Sequence, residues 1–425
     1  MTSSPTDLPP WANRQAALTL GILEKVALKV SDGEPADRML RRIIGDKKKY
    51  GSRDRRLFGD VVFTWFRWHG VVGGLPLARG LCVAWYLDAT PWPPALSAIL
   101  LDMGISEPDP LPPETPLQER KAAAEAVFDT TLPDLQHWVP DWVAKETAHL
   151  GPLEDRLHEI LHRPPTWLRV DRQEQPALHE ALLADGAAWA GDADPCAYAF
   201  DNPGKVHAWL QKHAEAIEIQ DLASQQVARI CDPAPESSWW DACAGAGGKA
   251  LHLLDRSGRN MELTCTDKRE QILSEITRRG RQHGLARVRR YALDLLKNPE
   301  LPNLTFDGIL LDAPCSGAGT WSRAPDTLWR TSEKDVQQLS RRQVRMLEAV
   351  LPPLKPGGKL IYAVCSLLQS ETHGVIDAFL AAHPELTLVP TPHPLTGAAT
   401  DGKIVITPTE SKGDGMFIAN MIKRA

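Results

Sequence analysis

Two cysteines follow apolar runs of the kind that form buried strands. The tetrapeptide Asp312-Ala313-Pro314-Cys315 follows the apolar run 309–311, and Cys365 follows residues 359–364. Short apolar runs bounded by turn formers are typical of central parallel strands that are buried on both faces. Open α/β sheets bind their ligands at the carboxyl ends of such strands. We therefore expect both thiols and the Asp312 carboxylate to meet at one edge of a sheet.

A glycine-rich turn lies earlier in the sequence. The segment Ala244-Gly245-Ala246-Gly247-Gly248-Lys249 follows a predicted strand at 239–243 and precedes a predicted helix at 250–254. Glycine lets the backbone approach a ligand closely, and the first N–H groups of a helix favour anionic groups. The turn lacks the full dinucleotide fingerprint and the ending of a phosphate-binding loop. Alone, it indicates only a helix start that is open to a ligand.

Acidic residues close the strands that follow this turn. Asp267 ends the predicted strand 263–267, roughly 20 residues after the glycines, where doubly wound folds hold a ribose. Asp294 follows the run 288–293, and Asp312 comes next. One carboxylate at a strand end is more often a helix cap than a ligand. Three of them in order after a glycine turn indicate a site for a nucleoside-type cofactor.

A nucleoside-type cofactor beside two thiols points to methyl transfer from S-adenosylmethionine to a poor nucleophile. Carbon 5 of a pyrimidine is such an atom, and a thiolate that adds to carbon 6 makes it able to attack a methyl group. The adduct must then lose the carbon-5 proton and expel the cysteine. A second thiol can assist that release, and a carboxylate near ring nitrogen 3 can stabilise the activated ring.

These motifs, in this order, resemble the RsmB/Sun RNA 5-methylcytosine methyltransferases. The resemblance covers residues from about 163 to the C-terminus, and it rests on Asp221-Leu222-Ala223-Ser224-Gln225, Asp241-Ala242-Cys243 with the glycine turn, Asp312-Ala313-Pro314-Cys315-Ser316-Gly317, Val364-Cys365-Ser366 and Gly413-Asp414-Gly415-Met416-Phe417.

The resemblance implies a role for each site residue. Cys365 would be the nucleophile, Cys315 the thiol that helps to release the product, and Asp312 a further catalytic residue that contacts the target ring. The residues expected to bind S-adenosylmethionine are Cys243, Ala244, Gly245, Ala246, Gly247, Gly248, Lys249, Asp267, Asp294 and Asp312.

Two positions depart from the family pattern. Ala246 stands where the family usually has proline, a change that a helix start should tolerate. Thr372 and His373 follow Glu371 where the family usually shows Asn-Glu. That second departure puts the support of the nucleophile loop in question.

The succession of patterns predicts three parts. Residues 1–150 read as an all-α domain, and Ser52-Arg53-Asp54-Arg55-Arg56-Leu57 with Trp65-Phe66-Arg67 resembles the NusB-like RNA-binding domain of the 16S ribosomal RNA member of the family. Residues 151–235 are predicted to form a small α+β segment, and Asp221 is expected to cap the helix that leads from it toward the catalytic part. Strands and helices alternate in residues 236–425, which predicts an α/β Rossmann-like S-adenosylmethionine-dependent methyltransferase domain.

Several element predictions are specific enough to be checked. An apolar stripe on the first helix comprises Ala17, Leu18, Leu20, Leu23, Val26 and Leu28. Residues 355–358 are predicted as a tight turn before the strand that delivers Cys365. The last strand, 416–422, is expected to pair in an antiparallel hairpin with residues 386–389 or 404–407.

Composition limits the remaining classes. The net charge of −6 argues against a uniformly basic coat, and seven cysteines without paired spacing make neither a disulfide framework nor a zinc site. No run reaches the roughly 18 to 20 apolar residues of a membrane span. We therefore expect a cytoplasmic monomer without metal.

Basic residues in both halves are candidates for phosphate contacts, which would make RNA binding salt-dependent. A stacked cytosine is inaccessible, so the target should lie in a loop or be flipped out. The candidates in the N-terminal domain are Lys47, Lys48, Lys49, Arg53, Arg55 and Arg56, and those in the catalytic half are Arg278, Arg279, Arg281, Arg287, Arg289, Arg290, Arg323, Arg330, Arg341, Arg342 and Arg345.

The leading hypothesis is S-adenosylmethionine-dependent methylation of cytosine carbon 5 in RNA, most simply in 16S ribosomal RNA. Transfer RNA or large-subunit ribosomal RNA would suit the same chemistry. A ribosome-assembly factor that binds RNA without turnover is an alternative from another class, although the presence of both cysteines argues against it. DNA cytosine methylation is a further option because such enzymes also use a Pro-Cys motif.

Overall fold

A computed structural model describes residues 8–45, 50–112, 114–283, 288–297, 301 and 304–424 of the chain. Lys47, Lys48, Lys49 and Arg287, for which we predicted phosphate contacts, lie outside these residues. The helices in the described part are α1 Ala12–Ser31, α2 Ala36–Ile44, α3 Ser52–Arg67, α4 His69–Val72, α5 Leu77–Leu87, α6 Pro94–Asp102, α7 Leu117–Phe128, α8 Asp141–Glu146, α9 Leu153–Leu161, α10 Gln175–Ala184, α11 Pro203–Lys212, α12 Leu222–Cys231, α13 Gly248–Arg256, α14 Glu270–Gln282, α15 Asp326–Arg330, α16 Glu333–Val350, α17 His373–Ala382 and α18 Pro408–Ser411.

The strands of the described residues lie after α9, in the parts that we predicted as α+β and α/β. They are β1 Thr166–Val170, β2 Ala188–Trp189, β3 Ala197–Phe200, β4 Ile217–Ile219, β5 Ser238–Asp241, β6 Glu262–Asp267, β7 Val288–Ala292, β8 Phe306–Asp312, β9 Leu354–Val364, β10 Leu386–Leu388, β11 Lys403–Ile406 and β12 Met416–Lys423.

The chain folds as two units, each with its own internal packing. One comprises residues 1–162 together with 324–332, and the other comprises 163–323 and 333–425. Our division at residues 150 and 235 remains a prediction. The first unit is all-helical in its described residues, consistent with the predicted NusB-like domain. Among the described helices, none combines the length and apolarity needed to cross a bilayer.

The buried face of α1 differs from the predicted stripe. Leu23 and Val26 are buried as expected, but Leu18 is 38% exposed and Leu28 is 63% exposed. The buried face instead carries Ala12, Ala16, Thr19, Ile22, Leu23, Val26 and Val30. These residues follow the helical spacing of three and four positions. The stripe prediction was wrong because it included Ala17, Leu18 and Leu28, which are exposed, and left out Ile22 and Val30.

Helix α15 is a distant segment that completes the helical unit. The Asp326 carboxylate accepts a hydrogen bond of 3.0 Å from the backbone N–H of Ala36, the first residue of α2. Because the first N–H groups of a helix lack intrahelical partners, this carboxylate caps α2 from 290 positions away. Trp329 Nε1 donates to the carbonyl of Phe66, at 2.8 Å.

The second unit contains a small antiparallel sheet and a large mixed one. The small sheet has the order β2-β3-β1-β4, as expected of an α+β segment. Helix α12 then begins at the predicted aspartate cap, because the Asp221 side chain accepts from Ala223 N at 3.0 Å. The large sheet has the order β10-β12-β9-β8-β5-β6-β7, and β11 also pairs with β12.

The centre of the large sheet is parallel and doubly wound, which confirms the predicted fold class. Strands β9, β8, β5, β6 and β7 run parallel, and the apolar run Ile309 to Leu311 in β8 is fully buried. The last strand, β12, pairs antiparallel with β9, β10 and β11. Both predicted partners of the last strand are therefore found.

The predicted tight turn at 355–358 lies inside β9. Phe306 of β8 pairs with Leu354, but Gly308 pairs with Lys359, so β9 carries extra residues at this point. Gly357 has φ +75°, which accommodates the bulge without strain. The two glycines and the proline in this segment look like a turn in sequence, but β9 continues on both sides of it.

Candidate active site

The predicted site residues converge where the strand order of the large sheet reverses. From β5 the chain continues through β6 and β7 on one side, and through β8 and β9 on the other. Doubly wound sheets bind ligands in the crevice at this switch point, beyond the carboxyl ends of the strands. The glycine turn follows β5, Asp312 ends β8, and Cys365 follows β9.

The two cysteines face each other across neighbouring strand ends. Cys315 Sγ and Cys365 Sγ are 3.4 Å apart, within hydrogen-bonding distance for sulfur. Register fixes the approach, because Asp312 pairs with Ala363 in the parallel ladder. The hydrogen bond to Cys365, followed by burial, raises the pKa of Cys315 well above its usual value. Either thiol can donate in this contact, and the raised pKa of Cys315 favours its protonated form.

A lysine and an aspartate bridge the crevice. Lys249 Nζ lies 2.7 Å from Asp312 Oδ2, and only 13% of the lysine side chain is exposed. Burial lowers the pKa of Lys249. The charge of Asp312, the hydrogen bond to Asp312 and the charge of Cys365 together outweigh burial, so the net shift of the pKa is upward. The ammonium group therefore stays charged beside both the carboxylate and the nucleophile candidate.

A second carboxylate, that of Asp241, lies near this pair. Asp241 ends β5 and is 1% exposed, and among the described residues neither of its oxygens has a hydrogen-bond partner. Burial, followed by the negative charge of Asp312, raises the pKa of Asp241 to about 7. Asp241 belongs to a motif that resembles the family, but no role was predicted for it. Its position, as an acidic residue at a strand end before a glycine turn, could have indicated that it belongs to the site.

The glycine turn has the backbone geometry that its sequence predicts. Gly245 and Gly247 have φ +52° and +88°, values that favour glycine, and α13 begins at Gly248. A Cβ on Gly247 would lie 2.8 Å from Ile276 Cγ1, whereas a Cβ on Gly248 would meet nothing within 4 Å. The turn is thus packed on one side and open on the other. Ala246, at the position where the family usually has proline, is accommodated.

The two other acids differ in their surroundings. Asp267 is 7% exposed and accepts from Gly245 N at 3.2 Å and from Arg269 Nε at 2.9 Å. Burial raises the pKa of Asp267, but the hydrogen bonds from Arg269 outweigh it, and the net shift is downward. Asp294 lies two residues beyond β7 and accepts from Leu296 N at 3.1 Å. Both carboxylates therefore lie at the expected edge, each with a bond to a nearby N–H group.

Several predicted phosphate contacts are held by internal partners instead. Arg279 donates to the carbonyl of Ala246 at 2.6 Å and pairs with Glu218. Arg323 joins Asp221 and Asp414, each at 2.7 Å. Arg330 pairs with Asp326, whereas Arg278, Arg289 and Arg290 have a local partner but stay exposed. Arg281, Arg341 and Arg345 remain exposed on α14 and α16.

The described residues contain no cluster of histidine, cysteine, aspartate or glutamate that could hold a metal ion. The seven cysteines are free thiols. We expected Cys82, Cys196 and Cys265 to be small buried hydrophobic residues. Cys82 and Cys265 are fully buried, whereas Cys196 is only partly buried, and burial raises the pKa of the Cys82 thiol to about 12.

Comparison with known proteins agrees with this geometry. Residues 228–422 match a family described as 16S rRNA methyltransferase RsmB/F. Ribosomal RNA small subunit methyltransferase B of Citrobacter koseri is 31% identical over 312 residues, which cover 72% of this chain and 71% of that protein. The chain belongs to the RsmB/F family. The Pasteurella multocida protein of the same name is 33% identical over 307 residues, covering 68% of this chain and 66% of its own length.

Solved structures support the fold of this RsmB/F family member. The crystal structure of PH0851 aligns over the full length of both chains, with a TM-score of 0.72 and 20% identity. A methyltransferase homologue from Pyrococcus horikoshii aligns with 67% of this chain and 99% of its own, with a TM-score of 0.54 and 24% identity. NSun6 from Pyrococcus horikoshii, crystallised with SFG, aligns with 68% of this chain and 99% of its own, with a TM-score of 0.55 and 18% identity.

Proposed function

We propose that this RsmB/F family member transfers a methyl group from S-adenosylmethionine to carbon 5 of a cytosine in 16S ribosomal RNA. The observation that carries the proposal is the 3.4 Å separation of the Cys315 and Cys365 sulfurs. A single nucleophile would need no second thiol at this distance. The similarity to proteins named ribosomal RNA small subunit methyltransferase B supports the choice of RNA.

The donor groups at the switch point fit a nucleoside carrying a cationic sulfur. The open side of the glycine turn at Gly248 leaves backbone free to contact a ligand. Asp267 and Asp294 provide acceptors for hydroxyl groups, and Asp241 lies buried at the end of β5, directly before the turn. Arg269, whose side chain is 58% exposed, can move aside to share Asp267 with a ribose. S-adenosylmethionine bound here would supply an electrophilic methyl group and keep the electron pair of the broken carbon–sulfur bond.

Cys365 starts the reaction. Its thiolate donates an electron pair to carbon 6, so that a sulfur–carbon bond forms and the π electrons of the ring move toward carbon 5 and nitrogen 3. The Asp312 carboxylate, held by Lys249, relays a proton from solvent to nitrogen 3, which neutralises the adduct, and takes that proton back when the product is released. Carbon 5 then has the electron pair that a new bond to a methyl group requires.

Cys315 assists the last step. A water molecule takes the proton from carbon 5, and the electrons of that carbon–hydrogen bond restore the double bond between carbons 5 and 6. The bond between carbon 6 and sulfur breaks, and its electron pair returns to Cys365. The Cys315 thiol, which keeps its proton because its pKa is raised, donates a hydrogen bond to the leaving sulfur. The pair thereby returns to its starting state.

The RNA must present an unstacked cytosine to this edge of the sheet. Exposed arginines on α14 and α16 supply phosphate contacts without reading sequence, and these are Arg281, Arg341 and Arg345. Such contacts make binding fall as salt rises.

A methyl-transfer assay tests the proposal. Purified protein is incubated with labelled S-adenosylmethionine and, separately, with 16S ribosomal RNA, 23S ribosomal RNA, transfer RNA, DNA and small ribosomal subunits. We expect label in the small-subunit RNA, at cytosines that bisulfite sequencing finds unmethylated in cells lacking the protein. Cys365→Ala should abolish incorporation. Undiminished incorporation by Cys365→Ala, or label confined to another nucleic acid, would contradict the corresponding part of the proposal.

A further inference from the structure

One buried carboxylate holds the two loops that carry the cysteines. Glu371 is 0% exposed. Its Oε1 accepts from the backbone N–H of Ser316 at 2.9 Å and from Gln343 Nε2 at 3.0 Å. Its Oε2 accepts from Ser316 Oγ at 2.5 Å and from Ser366 Oγ at 2.7 Å. Four donors thus converge on one side chain.

The donors are adjacent in sequence to the reactive thiols. Ser316 follows Cys315, and Ser366 follows Cys365. The two hydroxyl oxygens are 3.4 Å apart, the same separation as the two sulfurs. Holding both serines on one oxygen therefore holds both cysteines at a defined distance.

Two further residues, Tyr362 and Gln343, hold Glu371 in place. The Tyr362 hydroxyl donates to the backbone carbonyl of Glu371 at 2.8 Å. Gln343, from α16, donates both to Glu371 and to the carbonyl of Pro314, the residue before Cys315, at 3.0 Å. Hydrogen bonds to an ionised acceptor are among the strongest, and burial strengthens them further. The network is thus rigid and has little freedom to rearrange.

We infer that Glu371 is a positioning residue that sets the distance between the Cys315 and Cys365 sulfurs, and so coordinates attack on the base with release of the product. This inference rests on the proposed function. Glu371 touches neither sulfur and, being fully buried, does not contact substrate. Its charge also acts on Cys315, whose pKa is raised by the hydrogen bond to Cys365, by burial, by the charge of Cys365 and then by Glu371.

Variants of the two serines test the Cys365 loop and the Cys315 loop one at a time. Ser366→Ala removes the bond that ties the Cys365 loop to Glu371. Ser316→Ala removes the corresponding side-chain bond of the Cys315 loop but leaves its backbone bond to Oε1. Glu371→Gln keeps the shape but replaces one oxygen by an amide that donates, so the side chain no longer accepts from both pairs of donors.

The first test is single-turnover methylation with a labelled RNA substrate, in which covalent adduct and released product are followed separately. Ser366→Ala should slow adduct formation, and Ser316→Ala should slow release, each by about 10- to 100-fold, the range expected for a misplacement on the order of 1 Å. Glu371→Gln should slow both steps. Equal slowing of both steps by both serine variants would overturn the division of roles.

A second measurement is independent of RNA and cofactor. Diamide oxidises two thiols to a disulfide, taking up two electrons and two protons, and the rate depends on how close the sulfurs are held. We expect Glu371→Gln to form the Cys315–Cys365 disulfide at least about tenfold more slowly than the wild type, by the same positional argument. Equal rates would overturn the inference. If Glu371→Gln formed the disulfide more slowly but the wild type transferred no methyl group, the positioning role of Glu371 would be supported and the proposed function contradicted.

Ser257→Ala is a matched control for both tests. Ser257 is a buried serine that donates to the carbonyl of Leu254, and it caps the end of α13 away from the glycine turn. Its loss removes a buried hydroxyl without touching either cysteine loop. Its rates should match the wild type, and a slowing equal to that of Ser366→Ala would mean that any buried hydroxyl has the same effect, which would overturn the inference.

Discussion

Lys249 Nζ lies 2.7 Å from Asp312 Oδ2, which joins the first turn of α13 to the end of β8. This bridge crosses the crevice at the point where the strand order of the sheet reverses. It brings one positive charge to an edge that already holds the Asp312 and Asp241 carboxylates and the Cys365 sulfur. The lysine therefore neutralises a site that would otherwise be strongly negative.

Replacing Lys249 should make the Cys365 thiolate harder to form. In Lys249→Met the cation is gone, and the nearby carboxylates oppose a further negative charge. We expect alkylation of Cys365 by iodoacetamide at neutral pH, followed by mass spectrometry, to be slower by roughly threefold or more. Lys249→Arg keeps the charge and should stay close to the wild type. An unchanged alkylation rate in Lys249→Met would contradict this role.

Removing Cys315 should trap the reaction after attack. In Cys315→Ala the Cys365 thiolate still adds to carbon 6, but the hydrogen bond that stabilises the leaving sulfur is lost. We expect a protein–RNA adduct that survives denaturing electrophoresis, and product release slower by about 10- to 100-fold. The double variant Cys315→Ala/Cys365→Ala is the control and should form no adduct. A Cys315→Ala protein that runs free of RNA would refute the release role.

The positions of both cysteines could be predicted because they depend on strand ends. Ile309 to Leu311 and residues 359–364 are apolar enough to fix two buried parallel strands, and register then brings the residues that follow them to one edge. Local chemistry also indicated the glycine turn and the Asp221 cap. In each case neighbouring residues supply the constraint that the prediction used.

Long-range partners could not be predicted in this way. Glu371 lies 55 positions from Ser316, and Arg279 lies 61 positions from Glu218. Nothing in the sequence around Arg279 distinguishes an arginine that contacts phosphate from one that holds the carbonyl of Ala246. Such pairings depend on how elements pack, which is why we predicted an RNA contact where the structure has an internal support for the glycine turn.

Gly319 is a test of close backbone packing beside the cysteines. Its N–H donates to the Cys365 carbonyl at 3.0 Å, and its own carbonyl accepts from Gly415 N at 2.7 Å. A Cβ on Gly319 would lie 2.2 Å from the Gly415 carbonyl oxygen, which is backbone and cannot swing away. We expect Gly319→Ala to lower the free energy of unfolding by about 1 to 3 kcal/mol. Methyl transfer should fall at least about tenfold.

Urea denaturation and the methyl-transfer assay would check this prediction. Gly21→Ala, in α1, is the control because a Cβ there meets nothing within 4 Å. That change should raise stability by up to about 1 kcal/mol, since alanine favours the helix over glycine. If Gly319→Ala were as stable as the wild type, the Gly413-Asp414-Gly415 turn would not be packed closely against the loop that contains Gly319, and the prediction would be wrong.

His283 should make stability depend on pH. The ring is 4% exposed, and its Nδ1 and Nε2 lie 2.9 Å from Asp171 and Glu218. Burial lowers the pKa of His283, but the two carboxylates outweigh it and raise the pKa to about 9. Because the folded-state pKa of His283 exceeds its unfolded value, the protonated ring stabilises the fold fully below about pH 6.5. This stabilisation is lost as pH rises through 9, by about 3 kcal/mol in total.

Urea denaturation at pH 6.5 and 9.5 should show that loss in the wild type and in the exposed-site control His207→Gln. His283→Gln should lack it, and an equal loss in His283→Gln would rule out this histidine as the cause.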